Sequence, residues 1–271
     1  MLPPSGDVAV IIPARNESDR IGATVKAAAG LPGVDIVIVV DDGSGDDTAA
    51  AAQDAGASVM RHARNRGKAA AMETGSEAVR LLEAGLHGSG QHGAGYHGAE
   101  QHRAGQHREV PRHLLFLDGD LAESAAEAAP LTVPVRDGQA DMTIAVFSNR
   151  VKQGGHGFVM GLSGSGIMRA TGWRPAQPLN GQRCLTSAAF EAAMPLAPGW
   201  GVETGLTIDL LRKGMRIVEV EVPLAHRATG GDWRSQLHRA HQFVDVARAL
   251  AVRQPRLLDA RGKRAARPAR G

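Results

Sequence analysis

The chain has 271 residues, 43% hydrophobic and 22% charged but only 3% aromatic, so it can build one large core and is too apolar to be disordered throughout. Its 31 lysines and arginines exceed its 28 aspartates and glutamates by three, and six of the basic residues fall between positions 256 and 270, against Asp259 alone. The body is therefore near neutral, which argues against a nucleic-acid groove, and the single cysteine, Cys184, excludes an intramolecular disulfide and fits a reducing compartment.

Residues 8–12 read as a first strand. Ser18 or Asp19 is placed to cap a helix running to about residue 29, with Ile21, Val25 and Ala28 at helical spacing and Gly30 and Pro32 ending it. Residues 34–40 form a strand buried on both faces. An alanine-rich helix capped by Asp46 or Asp47 leads to Gly56 and a third strand at 58–61, followed by a helix over 67–83. Residues 114–117 and 142–147 make a fourth and a fifth strand. Helices are expected at 187–194, 202–212 and 232–252, with a strand at 216–222 between the last two. Alternating buried strands and helices predict an α/β chain with a Rossmann-like, mainly parallel sheet, flanking helices and a single domain.

Two segments stand apart. Between residues 86 and 109, His87, His92, His97, His102 and His107 recur every five residues among glycines. Imidazoles suit zinc, nickel or copper, yet so many glycines cannot fix ligand geometry, so a low-complexity surface insertion is the expectation. Residues 254–271 form a basic tail that suits an anionic membrane surface as well as plain solvation. The expected organisation is an extension at 1–6, one domain over 7–253 that contains the insertion, and the tail. Residues 1–6 carry no charged n-region or apolar h-region, and no apolar run approaches membrane-spanning length, so a cytoplasmic protein is expected.

In an open parallel sheet, ligands bind beyond the carboxyl ends of the strands. Here the four residue groups at those ends are Pro13-Ala-Arg-Asn-Glu17, Asp41-Asp-Gly-Ser44, Asn65-Arg-Gly-Lys68 and Asp118-Gly-Asp120. Each alone can be read as a cap or a turn; in strand order they converge on one rim and point to a nucleotide. A dinucleotide fold is excluded because Pro13-Ala14 stands where Gly-x-Gly-x-x-Gly belongs. A P-loop is excluded because Ala69 follows Gly67-Lys68 and His62 occupies the first glycine's place. Asp118 and Asp120 offer hard oxygens to Mg2+ or Mn2+, a cation able to neutralise a departing diphosphate.

These four motifs resemble the family 2 glycosyltransferases of GT-A (nucleotide-diphospho-sugar transferase) fold, over roughly residues 7–226. Two branches are nearest. Gly199-Trp-Gly-Val-Glu203 and His226-Arg are similar to the glucosyl-3-phosphoglycerate synthases, and Arg227-Ala-Thr-Gly230 to the polyprenyl-phosphate hexosyltransferases. The resemblance implies that Pro13, Ala14, Glu17, Asp41, Asp42, Ser44, Lys68 and Asp118 line the nucleotide-sugar pocket, with Asp42 or Asp41 on the base. It implies a metal held by Asp120 and His226, a donor-side catalytic role for Asp118 and Asp120, and Glu203 on the acceptor side as base or orienting group. Arg183 and Arg227 are candidates to bind a small-molecule or lipid-phosphate acceptor. Gly231-Asp232-Trp233 departs from the polyprenyl pattern, and residues 174–183 depart from the phosphoglycerate one, so the acceptor stays open. Two other readings accompany this one: a non-catalytic sugar-nucleotide-binding protein on the same fold, and an Asp-x-Asp phosphohydrolase.

Overall fold

A computed structural model describes residues 7–85, 110–147, 157–224 and 233–253. The histidine repeat, the basic tail, the first six residues and both His226 and Arg227 lie outside the described residues. One seven-stranded sheet, in the order β3-β2-β1-β4-β6-β5-β7, organises the chain. Its strands are β1 (Val8–Ala14), β2 (Val34–Asp41), β3 (Ser58–Arg61), β4 (His113–Phe116), β5 (Met142–Phe147), β6 (Arg183–Leu185) and β7 (Ile217–Val222). The helices are α1 (Ile21–Ala29), α2 (Thr48–Asp54), α3 (Lys68–Glu83), α4 (Ala129–Arg136), α5 (Gly157–Thr171), α6 (Ser187–Ala192), α7 (Val202–Arg212) and α8 (Trp233–Arg253).

Alternation along β1 explains why it sits near the centre. Val8, Val10 and Ile12 face one buried cluster with α1, Leu115 and Leu117, while Ala9 and Ile11 face another with α3, Phe116 and Phe190. Side chains of a strand point alternately to opposite faces, so a strand that is apolar at every position is covered on both. Parallel pairing aligns the carboxyl ends: Ala14 pairs with Asp41 and Asp41 with Arg61, while β4 runs beside β1 with Phe116 opposite Ile11. The chain after each of these four strands therefore emerges on one edge.

Two expectations need correcting. Neither Ser18 nor Asp19 caps α1: its first residue follows Arg20, which makes no capping side-chain bond, and the Ser18 N–H donates instead to Asp46 Oδ2 at 3.3 Å. At α2 the expected Asp46 does bond the helix start: its Oδ1 accepts from Thr48 Oγ1 at 2.5 Å and from Thr48 N at 3.1 Å, and these bonds, the hydroxyl's foremost, hold the Asp46 carboxyl below its usual range, while Asp47 makes no side-chain cap bond. The second correction is β6, a three-residue strand absent from the sequence reading. It runs antiparallel between β4 and β5, with Phe116 and Ile144 both opposite Arg183. Cys184 is buried within it, and burial pushes its thiol pKa up, which leaves it an inert packing residue.

Helix α3 must approach the sheet closely because its first residue, Lys68, reaches into the rim. Gly75 makes the approach available: a Cβ there would run into Ile11 Cγ2 and lie 3.3 Å from Val40 Cγ2. Gly75→Ala is expected to cost about 1–3 kcal/mol through overpacking, outweighing the ~1 kcal/mol gained in helix propensity. Chemical denaturation checks this as a lower midpoint with an unchanged slope.

Candidate active site

The first two rim segments are stapled together by short polar side chains. The Asn16 N–H donates to Ser44 Oγ at 3.0 Å, Asn16 Oδ1 accepts from Gly45 N at 2.9 Å, and the Glu17 N–H donates to Thr48 Oγ1 at 2.8 Å. Asn16 holds a left-handed backbone, φ 56°, which an asparagine tolerates better than a branched residue. The Asp42 N–H donates to Ala14 O at 2.9 Å and continues the ladder past the strand ends. Asp41 Oδ1 accepts from Ser44 N at 2.9 Å and closes the turn, and Arg61 Nε lies 3.1 Å from Asp41 Oδ2 as an ion pair. Gly43 in that turn has φ 71°, and a Cβ on it would meet the backbone of Arg64 at 2.6 Å, so only glycine fits.

Asp42 is buried and turned inward. Its Oδ1 accepts from Arg66 N at 2.8 Å and lies 2.7 Å from His62 Nδ1, and its Oδ2 accepts from Gly67 N at 2.7 Å. His62 Nε2 in turn lies 3.0 Å from Thr74 Oγ1 on α3. The carboxylate expected on a nucleobase thus ties the 65–67 loop to β2 and fixes where α3 begins.

That beginning is Lys68. Its ammonium donates to Asp118 Oδ1 at 2.7 Å and stands 3.1 Å from Glu203 Oε1, so one cation joins the end of β4 to the first turn of α7. The side chains of Lys68, Asp118 and Glu203 are 19%, 29% and 6% exposed, which gives the cluster one wet side and one dry side. Burial pulls the Lys68 pKa down, but the attractions and hydrogen bonds of Asp118 and Glu203 together outweigh it and hold the group above its ordinary value. Lys68 is accordingly an ammonium throughout the neutral range.

Asp118 has a second anchor that the sequence did not reveal. The Gln182 side chain, fully buried, donates through Nε2 to Asp118 Oδ2 at 2.7 Å, and its Oε1 is left without a hydrogen-bond partner. Gly181, just before it, packs directly on the pair: a Cβ there would collide with Lys68 Nζ and lie 3.0 Å from Asp118 Oδ1. The Asn180-Gly181 pair is a turn signal, and it was the available clue to this loop.

The fourth rim segment folds against the first. Gly119 leaves room for Ala14 Cβ at 3.2 Å and Glu17 Cγ at 3.5 Å, measured from where its own Cβ would stand. Its carbonyl accepts from Thr24 Oγ1 at 2.9 Å, and the Asp120 carbonyl accepts from Arg20 Nη1 at 3.1 Å. Pro13, Ala14, Glu17, Lys68, Asp118, Asp120 and Glu203 therefore belong to one continuous rim. Arg183 does not. It is 1% exposed, with its guanidinium directed into the core, so the expectation that it clamps an acceptor phosphate is not met.

The described residues contain no group of three or more His, Cys, Asp or Glu side chains arranged to hold a metal ion. Asp118 and Asp120 have the hard-oxygen chemistry that suits Mg2+ or Mn2+, but Asp118 is engaged by Lys68 and Gln182. Among the described residues these two carboxylates make up part of a shell at most.

Residues 9–80 match the model of the Glycosyl transferase family 2. Across the sheet and helices the chain superposes on glucosyl-3-phosphoglycerate synthase of Mycobacterium tuberculosis, crystallised with Mn2+, uridine diphosphate and phosphoglyceric acid. The TM-score is 0.67 at 24% identity, covering 93% of this chain and 80% of that one. The chain has the GT-A fold. A second complex of that enzyme, with Mn2+, UDP-glucose and phosphoglyceric acid, gives a TM-score of 0.64 at 24% identity, covering 93% of this chain and 81% of that one. Among curated proteins, the chain is 27% identical over 218 residues to glucosyl-3-phosphoglycerate synthase of Mycolicibacterium paratuberculosis. That match takes in 74% of this chain but 59% of that protein, so the chain spans about three-fifths of the relative's length. A shorter match, 43% over 70 residues, links it to the succinoglycan biosynthesis protein ExoU of Rhizobium meliloti, covering 24% of this chain and 20% of that one.

Asp42→Ala would leave the Arg66 and Gly67 N–H groups without their acceptor, at a cost of about 1–3 kcal/mol. It should also loosen Lys68. The expected outcome is a lower denaturation midpoint together with faster amide exchange at residues 65–69, whereas a residue reserved for ligand contact would leave both unchanged in the free protein.

Proposed function

We propose that the chain is a hexosyltransferase that takes a sugar from a nucleoside diphosphate donor, UDP- or GDP-linked, and passes it to a small phosphorylated acceptor. The single observation that carries this reading is the Lys68 ammonium bridging Asp118 and Glu203, because it unites a nucleotide-side carboxylate and a buried carboxylate across the mouth of a GT-A sheet. Similarity to an enzyme solved with Mn2+, UDP-glucose and phosphoglyceric acid supports the donor class and the acceptor's anionic character. It supports Mn2+ or Mg2+ as the cation.

Glycosyl transfer develops positive charge at the anomeric carbon and negative charge on the leaving diphosphate. Asp120 and His226 would hold the divalent ion, whose contribution when bound is to neutralise that diphosphate. Pro13, Ala14 and Glu17 would line the base and ribose; Asp41, Asp42 and Ser44 would keep that pocket in shape from behind. Lys68 would meet the donor's anionic portion once the donor enters, and its exchange of partners would free Asp118 on the wet side. Glu203 stays dry and paired. Its place beside the Lys68 ammonium suits orienting the acceptor hydroxyl and stabilising the cationic anomeric carbon. Arg227 remains the candidate for the acceptor's phosphate. Among the described residues no helix is long and apolar enough to cross a membrane. A peripheral membrane contact through the basic tail remains a proposal.

Titrating the protein with UDP-glucose, GDP-mannose and GDP-glucose, each with Mn2+ or Mg2+, tests the donor. One of them should bind in a metal-dependent way, and binding of none contradicts the reading. Asp120→Ala should lower metal-dependent turnover by about a hundredfold or more. Glu203→Gln should bind donor normally and transfer slowly; poor donor binding by that variant would remove Glu203 from the acceptor side. Donor binding without turnover over a range of acceptors would favour a non-catalytic sensor.

A further inference from the structure

Among the described residues, Arg183 is the largest side chain wholly inside the core. It projects from β6, the short antiparallel strand between β4 and β5, and it has no carboxylate within ion-pair distance among the described residues. Its hydrogen-bond partners are neutral: oxygens from two segments, and Met142 Sδ on β5, 4.0 Å from Nη1. Nε donates to Asn180 O at 2.8 Å and Nη2 to Pro178 O at 3.0 Å, both in the loop leading into β6. Nη1 donates to Glu203 O at 3.1 Å and to Thr207 Oγ1 at 2.9 Å, both in α7. Thr207 Oγ1 also donates to Glu203 O at 2.8 Å, so the carbonyl of Glu203 is held twice.

We propose that Arg183 is a positioning residue: from inside the core it clamps the 178–182 loop to the first turns of α7, and so sets the separation of Asp118 and Glu203 across Lys68. The loop carries Gly181, against the Lys68–Asp118 pair, and Gln182, which holds Asp118 Oδ2. Helix α7 carries Glu203. A planar guanidinium can hold both segments because its N–H groups leave three nitrogens in fixed, divergent directions, whereas a lysine ammonium offers its donors from one nitrogen and reaches fewer of these acceptors at once. Burial draws the Arg183 pKa down to about 10, against the attraction of Glu203 and Glu219, so the group stays charged at neutral pH. A permanent cation thus lies beneath the backbone of the residue whose carboxylate faces the anomeric carbon in the proposed reaction.

The kinetic consequence of this role rests on the transferase reading; the mechanical one does not. Arg183→Met and Arg183→Lys are compared with the parent by amide hydrogen exchange, by UDP-glucose affinity in Mn2+, and by turnover with phosphoglyceric acid as the acceptor probe. Exchange in Arg183→Met should accelerate together at 178–182 and 203–207 while α2 stays as in the parent. Donor affinity should hold while kcat falls by about a hundredfold, the cost of a small misplacement of a reacting group. Arg183→Lys should recover part of both effects. Should Arg183→Met fail to fold, the lysine variant carries the test, with raised exchange at both segments and a lower kcat at parent donor affinity. The proposal is overturned if exchange at the two segments is unchanged, or if it rises evenly through α2 with donor affinity and kcat falling together. A parent protein that turns over no sugar nucleotide defeats the transferase reading instead, and coupled exchange then decides the role of Arg183 alone.

Discussion

Asp118 and Glu203 come from segments 85 residues apart in sequence, both carry ionisable carboxyl groups, and both are drawn to one cation. Two carboxylates converging on a partly dry cleft repel each other and lose hydration, and such an arrangement persists only if a positive charge stands between them. Lys68 supplies it from the first residue of α3. Most of the rim's other interactions act to keep that ammonium in place: Asp42 draws the preceding loop onto β2, Gly75 lets the helix close on the sheet, and Gly181 yields the space a Cβ would fill.

The sheet's topology makes this convergence available. Four parallel strands bring three rim segments and the start of α3 to one edge, as an open α/β sheet does for any ligand. The insertion of antiparallel β6 beside β4 then returns the chain to the same edge from the other direction, and delivers Gly181 and Gln182 against Asp118. Beyond it, α7 packs through Thr204, whose Oγ1 lies 2.7 Å from Ser163 Oγ on α5, and through Asp209, which accepts from Arg253 on α8 at 2.6–2.9 Å. Glu203 thus stands on a helix fixed from two sides.

The first half of the chain was legible because its strands are apolar on both faces and its turns carry glycine and aspartate where the backbone reverses. Residues 8–12, 34–40 and 58–61 were read within two residues of β1, β2 and β3, and the helix over 67–83 became α3. Later elements were harder for identifiable reasons. Strand β6 has three residues, too few for a period of two to register. Helix α4 contains Pro134, normally a helix breaker, and α5 is rich in glycine and serine. The rim residues themselves could be named from strand order, yet their partners could not. Whether Lys68 meets Glu203, Asp42 meets its own loop, or Arg183 turns inward depends on long-range packing that spacing along the chain does not encode. Arginines are mostly exposed, so a surface clamp was the natural expectation for Arg183 and burial its refutation.

The claim that one ammonium holds the site together is tested most directly by Lys68→Met, through the pH dependence of its unfolding free energy between pH 5 and 8, set against the parent. In the parent the raised pKa of Lys68 adds stability that is fully present below its ordinary value of 10.5 and is lost only as pH rises beyond it, so this contribution is flat across the window. In the variant, Glu203 and Asp118 face each other without the cation, so a proton shared between them relieves the repulsion and the folded state binds more protons than the unfolded chain. Its stability should then fall relative to the parent as pH rises through the window. A difference between the two proteins that stays constant from pH 5 to 8 would contradict the account, because it would mean that Lys68 contributes packing and not the charge on which the site depends.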